Sequence, residues 1–208
     1  MTEIAEDYYN RLTVTKHHGG NREVDARSEA LKRVSDFVKK VGIPAIHTHR
    51  GFVPENPNNP IFAEVVRVIR EVASHCKSNG QMFLYETGQE TPVTLRSPIR
   101  DVGLDNQGIN LDTANLILYG KGNTVDALDV IGALAQGVHA KDRLYPSDPH
   151  KLGMEVPIGQ GKVDFPRLIE RLRELNYHGA MAIEREIEGA EQIEDVRQAK
   201  AYPEGLLA

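Results

Sequence analysis

The sequence predicts a parallel α/β fold of the (β/α)8 TIM-barrel type, and three observations support it. Short apolar runs alternate with longer segments whose apolar residues recur at helical spacing, as in strand–helix–strand units. No two neighbouring runs carry the turn residues of an antiparallel hairpin. Four runs end in residue types that bind metals, and strand ends that share one rim favour a barrel over an open sheet.

The four metal-binding residue types stand at regular positions along the chain. Glu86, Asp112, His139 and Glu184 each follow an apolar run, at intervals of 26, 27 and 45 residues. One strand-plus-helix unit takes about 25–30 residues, so consecutive parallel strands would deliver these side chains to one rim. For each residue alone, a capping or salt-bridged role is the simpler explanation. Four in succession favour a shared site, because an isolated buried carboxylate is costly.

The N-terminal segment, residues 1–27, is poorly defined. Residues 12–15 are interpreted as a strand remnant, and residues 16–20 are predicted to form a loop whose histidine pair is solvated. A helix is predicted over residues 28–41, where apolar residues recur at helical spacing and a glycine follows.

A strand is predicted at Ile43–His47, and His49 follows it. His47 and His49 are two residues apart, so their side chains share a face if the strand continues as far as His49. They either line the pocket or are hydrogen-bonded structural residues. Residues 61–78 then form the clearest helix, and Cys76 falls on its apolar stripe, which predicts a core residue rather than a nucleophile.

Helices and strands continue to alternate after Glu86. The next helix contains Pro98, which costs roughly 3 kcal/mol in a helix interior and predicts a kinked, short or weakened helix. Residues 143–163 are predicted to form a long lid or binding loop. The last helix is predicted over residues 192–202, with Pro203 as its stop.

Composition narrows the class of protein. The 208 residues carry a net charge of −5, with 40% hydrophobic and 26% charged residues, and are expected to form one domain over 1–208. The acidic balance without a basic run disfavours nucleic-acid binding. The single cysteine excludes an internal disulfide. No apolar run reaches the ~18 residues of a membrane span, and the N-terminus lacks the layout of a signal peptide. We expect a soluble, cytoplasmic protein.

Several motifs resemble those of the sugar phosphate isomerase/epimerase family, the xylose isomerase-like barrels that include tagatose and psicose epimerases. The resemblance covers about residues 43–202, and its motifs are Glu-Thr-Gly at 86–88, Asn-Leu-Asp at 110–112, Gly-Val-His-Ala-Lys-Asp at 137–142, Pro-Ile-Gly-Gln-Gly-Lys-Val-Asp-Phe at 157–165 and Ile-Glu at 183–184. It implies that Glu86, Asp112, His139 and Glu184 hold one divalent cation, Mn²⁺, Mg²⁺ or Co²⁺. It also implies that Glu86 and Glu184 act as the acid/base pair.

The chain departs from that family's pattern in two respects. The barrel has eight strand–helix units; counted back from Glu184, residues 28–203 supply strands four to eight and part of strand three, which predicts an incomplete barrel. An open sheet edge would favour a homo-oligomer. Many relatives place a second histidine three residues after the aspartate, where this chain has Asn115.

The residue types also suit proton transfer beside a sugar carbonyl. That chemistry needs a Lewis acid on the oxygens and a base near the carbon. Three carboxylates and one imidazole suit Mn²⁺ or Mg²⁺ better than a structural zinc. The expected reaction is isomerisation or epimerisation of a sugar or sugar phosphate through a metal-bound enediolate, as part of carbohydrate metabolism. The candidate substrate contacts are His47, His49, Glu90, Asn115, Lys141 and Asp142.

Three alternatives stay open. Lys141 and Asp142 either contact substrate or orient the ring of His139. An apurinic-site endonuclease could use the same barrel, although three metals and a basic groove fit the acidic composition poorly. A non-catalytic barrel fragment that binds a sugar or a partner would fit the short N-terminus, and metal affinity measured together with sugar turnover would separate it from an enzyme.

Overall fold

A computed structural model describes residues 20–49 and 51–207. The elements in chain order are α1 (Gly20–Lys40), β1 (Ala45–Thr48), α2 (Pro60–Ser78), β2 (Met82–Glu86), α3 (Pro92–Val102), β3 (Gln107–Asp112), α4 (Asn115–Leu118), α5 (Thr124–Ile131), a 3-10 helix (Gly132–Leu134), β4 (Ala135–Ala140), β5 (Asp142–Leu144), β6 (Met154–Val156), α6 (Phe165–Glu174), β7 (Met181–Ile183) and α7 (Ala190–Leu207). The chain divides into two compact units. One runs to Tyr85 and adds Thr94–Gly108, and the other comprises Glu86–Val93 and the residues from Ile109 onward.

In the first unit, β1 and β2 pair in parallel, with Ala45 opposite Met82 and Thr48 opposite Tyr85. Helix α2 begins after Asn59, whose side chain accepts the N–H of Ile61, as an N-cap does. The apolar face of α2 is buried and includes Cys76, which is 0% exposed. The prediction that Cys76 is a core residue is confirmed.

In the second unit, β3, β4 and β7 are parallel and lie in that order. Asp112 is opposite His139 in the β3–β4 register, and Ala140 is opposite Ile183 in the β4–β7 register. The N–H of Glu184 donates to the carbonyl of Ala140 at 3.1 Å, so β7 ends level with β4. The carboxyl ends of these strands therefore lie at one edge.

The parallel α/β prediction is confirmed, but two helix boundaries differ from the sequence prediction. Helix α1 begins at Gly20 rather than at residue 28. Helix α7 continues through Pro203, which is buried, instead of stopping there. The ring of Tyr202 packs edge-on against Phe165 at 6.0 Å between centroids, and this packing accompanies the continuation past proline. The strand expected at residues 12–15 lies outside the described residues.

The predicted lid loop of residues 143–163 contains an antiparallel hairpin that the sequence did not indicate. Strands β5 and β6 pair with Asp142 opposite Val156 and Leu144 opposite Met154. Each strand has three residues, which is too short for an alternating pattern to be recognised.

Among the described residues, no helix is long and apolar enough to cross a membrane.

Candidate metal centre

Four side chains converge at the carboxyl ends of parallel strands. Glu86 ends β2, Asp112 ends β3, His139 lies near the end of β4, and Glu184 directly follows β7. One possible ligand atom from each lies within 4.8 Å of the others. His139 Nδ1 is 3.1 Å from both Glu86 Oε1 and Glu184 Oε2. The structure thus brings together the four residues that the sequence pattern singled out, all within the second unit.

Asp112 has one carboxylate oxygen held by the fold and one that is not. Its Oδ1 accepts the backbone N–H groups of Ala114 at 2.8 Å and Asn115 at 2.9 Å. Its Oδ2 is buried and accepts no hydrogen bond. Burial raises the pKa of this carboxyl, because the charged form loses its hydration. A bound cation would compensate the buried oxygen, so Asp112 fits the role of a metal ligand.

His139 and Glu184 form an ion pair in which Nδ1 lies 3.1 Å from Oε2. Hydrogen bonding to Glu184, then to Glu86, raises the pKa of His139 to about 10. Hydrogen bonding to His139, supported by Lys141, lowers the pKa of Glu184 to about 2. The imidazolium therefore balances part of the carboxylate charge when no metal is bound. Metal binding requires a neutral ring and would release that proton.

The raised pKa of His139 predicts how the metal-free protein responds to pH. The folded pKa is about 10 and the unfolded value is about 6.5, so the folded state binds an extra proton between these values. The stabilisation is complete below about pH 6.5 and is lost as the pH rises through about 10. Urea unfolding in EDTA between pH 6 and pH 10 should show this decline. The variant His139→Asn should lack it; an equal decline in the variant would assign the effect to another group.

The donor set fits a hard divalent cation. Three carboxylates and one imidazole provide mainly oxygen ligands, which suit Mn²⁺ and Mg²⁺. In the state that binds a metal the three carboxylates are ionised and the His139 ring is neutral, so the ligands carry −3, and the Lys141 ammonium, 3.3 Å from Asp112 and 2.9 Å from Glu184, contributes +1. The remaining −2 is the charge that one divalent ion balances.

The predicted substrate contacts lie in different environments. His47 is exposed in β1, and His49 is half-buried just after it, both in the first unit. Glu90, in the segment of the chain that follows β2, is buried. Asn115 is buried, and its side-chain amide donates to the carbonyl of Thr87 at 2.9 Å. Substrate contact by these residues stays a prediction.

Asp142 anchors the loop that follows the hairpin. Its carboxylate accepts four backbone N–H groups at 2.9–3.0 Å, those of Arg143, Gly159, Gly161 and Val163. A Cβ atom at Gly161 would lie 2.0 Å from Asp142 Oδ1, so the loop approaches too closely for any side chain there. Sequence reasoning missed this anchoring role, although the Gly-Gln-Gly triplet at 159–161 was its available signal. A substrate contact at Asp142 remains untested.

An ion-pair network beside the cluster was not predicted. Arg143 Nη2 lies 3.1 Å from Glu155 Oε2 and also contacts Glu186 Oε2. Arg185 contacts the other oxygen of Glu155 at 2.9 Å and Asp195 at 2.8 Å. The network joins β5, β6 and α7 to the segment after β7. Single charges spread over two three-residue strands, a helix and a loop carry no periodic signal that would reveal the network.

Comparison with known proteins places the chain in a family. The family described as the xylose isomerase-like TIM barrel matches residues 7–206. The chain belongs to this family, and the predicted fold class is confirmed. The match begins well before residue 43, where the sequence resemblance began.

Two similar proteins are longer than this chain. An uncharacterized protein of Methanocaldococcus jannaschii is 31% identical over 167 residues, which are 75% of this chain and 55% of that protein. The crystal structure of a xylose isomerase domain protein from Planctomyces limnophilus is 38% identical with a TM-score of 0.84, over 88% of this chain and 66% of that one. The chain thus spans about half to two-thirds of their length.

Two more distant structures share the fold. A xylose isomerase-like TIM barrel protein from Mycobacterium smegmatis in complex with magnesium is 18% identical, with a TM-score of 0.70, over 95% of this chain and 70% of that one. L-ribulose 3-epimerase is 16% identical, with a TM-score of 0.72, over 95% of this chain and 71% of that one. The structural neighbours of the family therefore include sugar epimerases.

Proposed function

We propose that the chain is a divalent-metal-dependent sugar isomerase or epimerase that acts by proton transfer on a sugar or sugar phosphate, as a step of carbohydrate metabolism in the cytoplasm. The observation that carries the proposal is the convergence of Glu86, Asp112, His139 and Glu184 within 4.8 Å. The magnesium complex and the L-ribulose 3-epimerase on the same fold support it.

The four converging residues would hold the ion. Mn²⁺, Mg²⁺ or Co²⁺, when bound, supplies a Lewis acid that stabilises negative charge on the carbonyl oxygen of the sugar. The buried Oδ2 of Asp112, which accepts no hydrogen bond, supports this assignment.

The two glutamates differ in a way that suits an acid/base pair. The Glu184 side chain is 37% exposed, whereas that of Glu86 is 9% exposed, so Glu184 is the more accessible to a substrate. In the proposed reaction one glutamate removes the proton from the carbon beside the carbonyl, which gives an enediolate. The other returns a proton to the same or the neighbouring carbon.

The substitutions Glu86→Gln and Glu184→Gln should each lower turnover by about 10²–10⁴-fold, the range usual for loss of a general acid or base. The assay is a panel of ketoses and aldoses, free and phosphorylated, in deuterated water with Mn²⁺. The product should carry solvent deuterium at the carbon that changes. Glu188→Gln, an exposed charge in the same segment, serves as the control and should leave turnover unchanged.

Two results would contradict this function. Near-full turnover by either glutamine variant would remove that residue from the acid/base pair. A product without solvent deuterium would argue against proton transfer and for migration of the hydrogen within the sugar.

A second candidate is an incomplete barrel that binds a sugar or a partner without turning it over. The observation that favours it is that the matches span only 55% and 66% of the two similar proteins. Metal binding without turnover of any sugar in the panel would support this candidate.

A further inference from the structure

Lys141 is a buried cation whose ammonium group contacts three carboxylates, two of them in the candidate metal centre. Its side chain is 2% exposed, and its Nζ lies 2.9 Å from Glu184 Oε2 and 3.3 Å from Asp112 Oδ2. The third contact is Glu186 Oε1 at 3.2 Å, on a side chain that is 55% exposed. The ammonium group thus contacts two of the proposed metal ligands and one carboxylate outside the ligand set.

The ammonium group of Lys141 balances the negative charge of these carboxylates but does not occupy every lone pair of their oxygens. Asp112 Oδ2 is buried and accepts no hydrogen bond, although the ammonium nitrogen lies 3.3 Å from it. Glu184 Oε2 is also buried and lies 2.9 Å from the ammonium nitrogen and 3.1 Å from His139 Nδ1. The lone pairs of Asp112 Oδ2 therefore remain available to a metal. The Coulomb attraction of Lys141 persists because the group is buried and weakly screened.

A metal ion at this site would meet both attraction and repulsion. The carboxylates attract it, whereas the ammonium of Lys141 is a fixed positive charge in contact with the same oxygens. Like charges this close interact strongly where water is excluded. The lysine therefore opposes metal binding while it stabilises the metal-free site.

We propose that Lys141 is a tethered counter-cation, a positioning residue that holds Asp112 and Glu184 in place without metal and keeps the metal affinity low. This inference rests on the proposed metal centre. Glu186 moderates the effect, since its carboxylate neutralises Lys141 from outside the ligand set and also contacts Arg143. Removing Lys141 should tighten metal binding, and removing the charge of Glu186 should weaken it.

The direct test is titration calorimetry of Mn²⁺ into Lys141→Met. The variant keeps a long flexible side chain but loses the charge, and its dissociation constant for Mn²⁺ should fall at least tenfold. Its melting temperature in EDTA should fall, because three carboxylates lose their counter-cation, and saturating Mn²⁺ should restore it. Lys162→Met removes the same charge from an exposed position and should leave both quantities unchanged.

A second pair of variants carries the test if Lys141→Met fails to fold. Glu186→Gln should weaken Mn²⁺ binding several-fold more than Glu188→Gln does, since both charges are exposed in the same segment but Glu186 alone of the two is in the ion pairs with Lys141 and Arg143 described here. Equal or weaker Mn²⁺ binding by Lys141→Met, or equal effects of the two glutamine variants, would overturn the inference. Mn²⁺ binding that is detected for Lys141→Met but not for the unchanged chain would support the inference. No binding by any chain would contradict the metal centre as well.

Discussion

The substitution Asp142→Ala is expected to lower the free energy of unfolding by about 4 kcal/mol or more. The carboxylate accepts four backbone N–H groups, from Arg143 and from the loop at Gly159, Gly161 and Val163. Asp142 is 1% exposed, and the donors at Arg143 and Val163 are buried, so water cannot replace the lost acceptor at these two without the loop opening. Each donor left unpaired in a buried place costs about 1–3 kcal/mol. Urea denaturation followed by circular dichroism measures the loss.

Asp148→Ala is the matched control for this effect. Asp148 lies in the same hairpin connection, but its carboxylate accepts a single exposed N–H, that of His150 at 2.9 Å. We expect a change within about 1 kcal/mol there. A similarly small change for Asp142→Ala would show that the loop does not depend on the carboxylate.

The substitution Asp112→Asn is expected to abolish the stabilisation that Mn²⁺ gives, through a loss of metal affinity of about a hundredfold or more. The amide oxygen can still accept the N–H groups of Ala114 and Asn115, as Oδ1 does now. The buried Oδ2, which accepts no hydrogen bond, is the atom that the amide nitrogen would replace. An NH₂ group cannot ligate a cation, and one negative charge is lost from the set.

Thermal melts with Mn²⁺ and with EDTA measure this effect, because a ligand of the native state raises the melting temperature by mass action. Asp129→Asn, an exposed residue whose carboxylate pairs with Arg171 at 2.7 Å, should keep the full shift. A metal shift of normal size in Asp112→Asn would exclude Asp112 from the ligand set.

The positions of the candidate site residues were the feature of the structure that the sequence predicted best. Parallel strands of similar length end level with one another, so a regular spacing of Glu86, Asp112 and His139 predicts that their side chains meet. The register that places Asp112 opposite His139 agrees with this expectation. Cys76 could be assigned to the core for a comparable reason, since helical spacing fixes which face it occupies.

The features that the sequence did not predict have different physical causes. The hairpin of β5 and β6 is too short for a period, and its pairing is decided by contacts distant in sequence. Helix α7 passes through Pro203 because the surrounding segment is packed, as the Phe165–Tyr202 contact shows, and tertiary packing overrides local propensity. The anchoring role of Asp142 depends on a loop that returns from residues 157–163, which no local pattern reveals.

The most direct measurement is a crystal structure of the chain soaked with Mn²⁺, with anomalous scattering recorded to locate the metal. One peak is expected about 2.0–2.3 Å from an oxygen of Glu86, Asp112 and Glu184 and from a ring nitrogen of His139. The Lys141 ammonium should remain in contact with Glu186 while the metal is bound. A peak elsewhere, or none at saturating Mn²⁺, would contradict the four-residue metal centre.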